Sequence, residues 1–156
     1  MRATVEGGLS ILTPGLVHPW LGVQAVVGYA SLRARGSVPT VGELGGSRVE
    51  HVSLGVDGGI ELPLLLTPIV RLTGETGASL DWYQVTRSPG RAEGSNVQAG
   101  IYLAPRLAWV FDPFEVALRV GLRFVFVPLE LSGLEEGTEE MNRFSGFFSI
   151  GFGRRF

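Results

Sequence analysis

The chain has 156 residues, 45% of them hydrophobic and only 18% charged, with a formal net charge of −2 at pH 7. Soluble domains carry about a quarter charged residues, and disordered chains carry far less apolar side chain than this one. With no cysteine and two histidines, disulfide frameworks, thiolate metal sites and a histidine-rich metal centre are excluded; the mildly acidic balance excludes a duplex-binding footprint, so neither a cofactor nor a nucleic-acid partner is expected.

Apolar and small or polar residues alternate along most of the chain, the period of a strand with two unlike faces. Val5, Leu9 and Ile11 oppose Thr4, Glu6 and Ser10; Leu21, Val23, Ala25, Val27 and Tyr29 oppose Gly22, Gln24 and Gly28. Val52, Leu54, Val56, Ile60 and Leu62 oppose His51, Ser53, Asp57 and Glu61, and Val70, Leu72, Thr76, Ala78 and Leu80 oppose Arg71, Thr73, Glu75, Ser79 and Asp81. The same rhythm runs through 96–110, 115–127 and 144–156, giving seven predicted strands and no helix. No apolar run approaches the roughly 18 residues of a membrane-spanning helix.

Tight Pro-containing turns are predicted near 13–19, 63–67 and 111–114, and longer polar loops near 34–47, 86–95 and 131–142. Short turns at one rim and longer loops at the other are the layout of an up-and-down barrel in an outer membrane. The predicted fold is therefore all-β, one domain over 1–156: an antiparallel up-and-down transmembrane β-barrel of the eight-stranded type, with its apolar face outward.

Three features set that orientation against a soluble barrel with an apolar lumen. Aromatic residues gather into two expected girdles, Trp20, Trp109, Phe111, Phe114 and Phe156 by the turns and Tyr29, Trp82, Phe124, Phe126 and Phe144 towards the loops, where amphipathic rings favour a membrane–water interface. The polar face is rich in Gly and Ser, and every basic residue is Arg, unlike a solvated exterior. The chain also ends on alternating apolar residues, Phe148, Ile150, Phe152 and terminal Phe156.

That ending resembles the C-terminal assembly signal of bacterial outer-membrane β-barrels, with Arg154 standing where an apolar side chain is usual. The hairpin layout is similar to the small OmpA/OmpX/OmpW-like barrels. The resemblance implies residence in the outer membrane of a Gram-negative-type bacterium, a lipid bilayer and lipopolysaccharide as partners, and the barrel-assembly machinery during insertion.

Single-chain barrels of this kind close with an even number of strands. Seven strands thus point to a first strand missing ahead of 3–12, and Met1 leads straight into strand-like residues with no basic start and apolar core of a secretory leader. On this reading the chain is an eight-stranded barrel shortened at its N-terminus, open between 3–12 and 144–156.

The inward register collects Glu6, Asp57, Glu61, Glu75, Asp81 and Glu115 with Arg71, Arg106, Arg119 and Arg123, beside Gln24, Gln98 and Tyr102. A lumen of eight strands is just wide enough to be filled by side chains, and buried charges persist there when paired. The expected function is a structural or envelope-interaction role with a plugged lumen; a small pore or a lipid- or ligand-binding barrel is the second reading. The third is a lipid A-modifying acyl hydrolase, because His51 and Ser53 form an H-x-S pair resembling that of lipid A deacylases, with Glu50 and Glu61 as candidates for the orienting acid. Here the pair is expected to face inward, away from lipid, so no catalytic role is assigned. Charged loop residues, Arg33, Arg35, Arg48, Arg87 and Arg91 against Glu135, Glu136, Glu139 and Glu140, are expected at the solvated rim, where Arg can meet phosphates and the Glu cluster divalent ions.

Overall fold

The computed structural model describes the backbone of residues 1–12, 16–44, 47–88, 93–127, 129–134, 137–141 and 143–156, and side chains outside 12–16, 42–49, 87–96 and 128–142. Among the described residues eleven strands follow one another: β1 (Arg2–Leu12), β2 (Leu16–Val27), β3 (Ala30–Ser37), β4 (Thr40–Leu44), β5 (Ser47–Leu66), β6 (Val70–Ser88), β7 (Glu93–Phe111), β8 (Phe114–Val125), β9 (Leu129–Leu134), β10 (Gly137–Met141) and β11 (Phe144–Arg155). Eight of them close a ring in the order β1-β2-β3-β5-β6-β7-β8-β11, every neighbour antiparallel. Closure gives every barrel strand a neighbour on both sides, as a wall facing hydrocarbon requires, while 62–66 of β5 and 93–98 of β7 run past the neighbour on one side. β4 continues the line of β3 along the upper half of β5, and β9–β10 form a separate hairpin between β8 and β11.

The ring corrects the expectation of a missing first strand. β1 pairs with β11 from Arg2↔Arg155 to Leu12↔Ser145 without a register shift. The strand that the alternation failed to resolve is β3, not one ahead of β1. Between β2 and β3 the chain reverses in two residues, Gly28 and Tyr29, with Gly28 at φ 60°, a left-handed value that suits the twist of a tight hairpin. The reversal keeps the alternation going but flips its parity: even positions face inward on β2, odd positions on β3. Tyr29 accordingly lies in a turn, with 67–69 and 112–113 at the same end as Met1 and Phe156. The predicted turn at 63–67 sits slightly later, closed by Thr67 and Val70. The predicted turn at 13–19 is displaced: 16–19 already belong to β2, and the β1–β2 connection falls at the loop end of the barrel. Residues 34–37 and 40–44, expected in a loop, are strand, and β6 and β7 run on through 86–88 and 93–95.

The wall is inverted relative to a soluble protein. Val5, Leu21, Leu32, Leu54, Leu80, Leu103, Val120, Leu122 and Ile150 are exposed on its outside, while the buried set is dominated by charged, hydroxyl and amide side chains. Three inward aromatic rings lie opposite glycines of the neighbouring strand: Trp20 beside Gly8, Tyr102 beside Gly77, and Phe147 beside Gly121. A methyl group on Gly121 would overlap the Phe147 ring, and one on Gly8 would meet Trp20. Glycine therefore makes the room that Trp20 and Phe147 fill, the pairing known to rescue glycine in sheets, and Gly59, where a methyl would meet the Tyr102 hydroxyl, does the same for Tyr102.

Gly121→Ala is expected to lower folding stability in micelles by about 1–3 kcal/mol through overpacking. Gly146→Ala, whose added methyl meets nothing within 4 Å, should stay within about 0.5 kcal/mol. Urea-unfolding midpoints followed by tryptophan fluorescence would check both.

Candidate functional site: a charged lumen

Every barrel strand sends a polar or aromatic side chain into the lumen, because one parity of each strand points there and the sequence reserves that parity for such residues. Glu6, Asp57, Glu61, Glu75, Asp81, Tyr102, Arg106, Glu115, Arg119 and Arg123 are all buried there, as are Gln24 and Gln98. Arg71 shares the inward register but remains partly exposed at the turn-side end.

The centre of the network comes from two residues expected in a solvated loop. Arg33 and Arg35, on β3, are buried; Arg33 reaches Glu75 at 2.8 Å, Asp57 at 3.2 Å and Glu6 at 3.4 Å. Arg35 pairs with Asp81 and, at 3.2 Å, with Asp57. The loop reading of 34–47, with Arg33 and Arg35 at its rim, arises because the inward face of β3 is Ser31, Arg33 and Arg35 while its outward face offers little beyond Leu32 and Ala34. Its hidden signal was parity: Arg33 and Arg35 alternate with apolar or small residues in step with the strands around them.

From β8, Arg119 meets Glu75 at 3.1 Å and Glu6 at 3.5 Å, and Arg123 meets Asp57 and Asp81 at 3.4 Å each. Four arginines thus face four carboxylates in one cluster. Nearer the turn end, Arg2 pairs with Glu61 and, at 3.2 Å, with Glu115, which also binds Arg106: two against two. Gln24 bridges the clusters, donating to Glu75 at 3.2 Å and to Ser31 at 2.9 Å, and accepting from Arg2 at 3.4 Å. The guanidinium of Arg119 lies 4.8 Å from the Phe147 ring and 5.9 Å from Trp20, and that of Arg33 6.0 Å from Tyr102, within cation–π range. Each of these twelve charges therefore meets opposite charge, and Arg33, Arg119 and Arg123 a ring face as well, which is what makes desolvated ions tolerable.

Towards the loop end the polar character changes. His18 and His51 are buried with ring centroids 4.6 Å apart, and Tyr83 lies 5.3 Å beyond His51. Ser53 is buried on the same inward face as His51, yet neither His51 ring nitrogen has a hydrogen-bond partner. Glu50 is exposed, and Glu61 is engaged by Arg2. Among the described residues no base–hydroxyl contact oriented by an acid is assembled. Among the described residues no cluster of His, Asp and Glu suited to a metal is present.

The proposed aromatic girdles divide as follows. Trp109, Phe111, Phe114 and Phe156 lie outward at the turn end, and Trp82, Phe124, Phe126 and Phe144 outward towards the loops. Phe114 stacks on Phe152 at 5.6 Å, and Phe124 packs on Phe144 at 5.0 Å. Tyr29, assigned to the loop side, is at the turn end. Trp20, assigned to an interface, is 3% exposed inside the lumen: its even position is the inward parity of β2, and Gly8 and Gly22 give its indole space. The side chains of Arg48, Arg87, Arg91, Glu135, Glu136, Glu139 and Glu140 lie outside the described residues.

No family model matches the sequence, and no curated protein matches it. Solved structures do. Neisserial surface protein A superposes with a TM-score of 0.65 at 9% identity, covering 99% of this chain and 96% of that one. The fold is that of the small bacterial outer-membrane β-barrels. Ail of Yersinia pestis, solved with the heparin analogue sucrose octasulfate, gives 0.56 at 12% identity over 99% of this chain and 97% of its own. The outer membrane enzyme PagL gives 0.50 at 11% identity over 98% and 99%. One fold thus carries a surface protein, an attachment invasion locus protein and an enzyme, and function has to be argued from side chains.

Arg33→Met removes the cation shared by three carboxylates and is expected to cost about 3–5 kcal/mol of folding stability. Arg33→Lys should recover little of it, since one ammonium cannot span those three partners as the guanidinium fork does. Urea titrations in micelles, with folded and unfolded bands resolved on unheated gels, would measure both.

Proposed function

We infer that the chain is an integral protein of the outer membrane of a Gram-negative-type bacterium, with a structural or envelope-interaction role and a sealed lumen. The observation that carries this reading is the inverted polarity of the closed ring: an exposed apolar wall around paired ions. In water such a wall would aggregate; in hydrocarbon it is the stable arrangement. Phe148, Ile150, Phe152 and Phe156 are exposed along the outer face of β11 and its end, consistent with an assembly signal read by the insertion machinery.

Interaction is assigned to the loop rim. Arg48, at the start of β5, and Arg87, at the end of β6, have their backbone at that end, Arg91 follows in the sequence, and guanidinium groups suit the phosphates of lipopolysaccharide. Ail, of the same fold, was solved with a polysulfated ligand. A conducting pore is disfavoured by the two ion clusters that cross the lumen. An acyl hydrolase is disfavoured by the inward burial of His51 and Ser53, which holds them away from acyl chains outside the wall.

The refolded chain is expected to migrate faster on SDS gels before boiling than after, and to add no steady conductance to a planar bilayer. Unchanged migration on boiling would overturn the membrane assignment; ion-selective steps would overturn the sealed lumen.

A further inference from the structure

The outer wall is not uniformly ridged. Across β1, β2 and β3 the small side chains of Ala3, Ala25 and Ala34 floor a groove of about 580 Å³, inside the roughly 300–1,000 Å³ range of ligand sites. Leu32, Val56 and Phe152 stand along it. Its course follows from the pairing: Ala3 is directly opposite Arg154 and Ala25, Leu32 opposite Ala25, and Ala34 opposite Val56. The groove therefore slants from the turn-side end of β11 to the middle of the wall on β5. At its turn-side end lies Arg154, an exposed cation in the outward register of an otherwise apolar strand.

Arg154 is placed for a headgroup. It pairs in register with Phe114, and its guanidinium lies 5.2 Å from the Phe156 ring, so it belongs to the turn-side aromatic belt. Among the described residues no salt bridge neutralises it, whereas the lumenal arginines are shared between carboxylates. An apolar trough running to mid-wall with an unneutralised guanidinium at its interfacial end complements one acyl chain and one anionic head.

We propose that this groove is a binding site for an anionic phospholipid, the phosphate held by Arg154 and one acyl chain laid over Ala3, Ala25 and Ala34. The site rests on the membrane reading above. It lies at the turn end, which in barrels of this fold faces the periplasm, so the ligand is a glycerophospholipid of the inner leaflet rather than lipopolysaccharide. A net negative head is preferred because phosphatidylcholine carries its own cation to the phosphate.

Native mass spectrometry of the full chain released from micelles, with phosphatidylglycerol and phosphatidylcholine supplied equally, tests it. Several-fold greater retention of phosphatidylglycerol is expected. Arg154→Gln should erase the preference, Arg154→Lys should keep most of it, and Ala34→Phe should cut retention of both lipids by filling the trough. Each variant is first shown to be folded by heat-modified migration. Equal retention by the parent, or an unchanged preference in Arg154→Gln, overturns the lipid site while leaving the membrane reading intact. Dimers abolished by Ala34→Phe with no lipid retained would overturn it in favour of a second copy of this chain. A chain that fails to enter vesicles overturns both.

Discussion

Charge neutrality inside a closed ring is the constraint on which the remainder rests. The described lumen holds Arg2, Arg33, Arg35, Arg106, Arg119 and Arg123 against Glu6, Asp57, Glu61, Glu75, Asp81 and Glu115, and neutrality holds separately in the four-against-four and two-against-two clusters. Moving an ion from water to a low-dielectric interior costs several kcal/mol even after relaxation. Any arrangement that stranded one of these twelve would forfeit a large part of a typical 5–15 kcal/mol folding stability. Arginine suits the position because its fork reaches two or three carboxylates at once and stays charged.

That constraint explains the pattern of the wall as well. With ions filling the inward parity, the outward parity is left to Val, Leu, Ile and Phe, and only a non-aqueous surrounding makes that arrangement stable. The glycines serve the same packing. Gly8, Gly59 and Gly121 leave room inside for Trp20, Tyr102 and Phe147, and two of those rings then lie within cation–π range of Arg33 and Arg119, with Trp20 beside Arg119 as well. Aromatic packing and ion pairing occupy one continuous filling.

Much of this was legible in the sequence because a strand with two unlike faces writes its orientation as parity. Glu75, Arg106, Arg119 and Arg123 could be turned inward from alternation alone. What escaped was local. The Gly28–Tyr29 reversal carries one small and one aromatic residue, so it looked like more strand, and the polar face of β3 looked like a loop. Losing β3 removed Arg33 and Arg35 from the lumen ledger and made the strand count odd; with Arg71 counted in the place that Arg2 fills, six carboxylates faced four arginines. That imbalance was itself readable: an interior short of positive charge asks for arginines from an unassigned segment, and Arg33 and Arg35 were the nearest pair in alternating positions. Trp20 was misplaced for a related reason, since an aromatic near a strand end suits an interface as well as a lumen until the glycines opposite it are known.

Register is where these strands meet a selection that hydrophobicity alone could not impose. Among helices or strands already in hydrocarbon, apolar burial offers no driving force, since lipid is as apolar as a leucine side chain. The described residues hold one small buried apolar cluster, Tyr102, Ala104 and Phe147, too little to fix eight strands. A one-residue slip of β3 against β2 and β5 would instead turn Arg33 and Arg35 into acyl chains and bring Leu32 and Ala34 against Asp57 and Glu75. Arginine at the middle of a barrel's lipid face costs about 2–4 kcal/mol by itself, before the abandoned carboxylates are counted. The ion clusters therefore do for this barrel what a jigsaw of leucines does for a soluble domain: they make the wrong alignment expensive and leave one register standing.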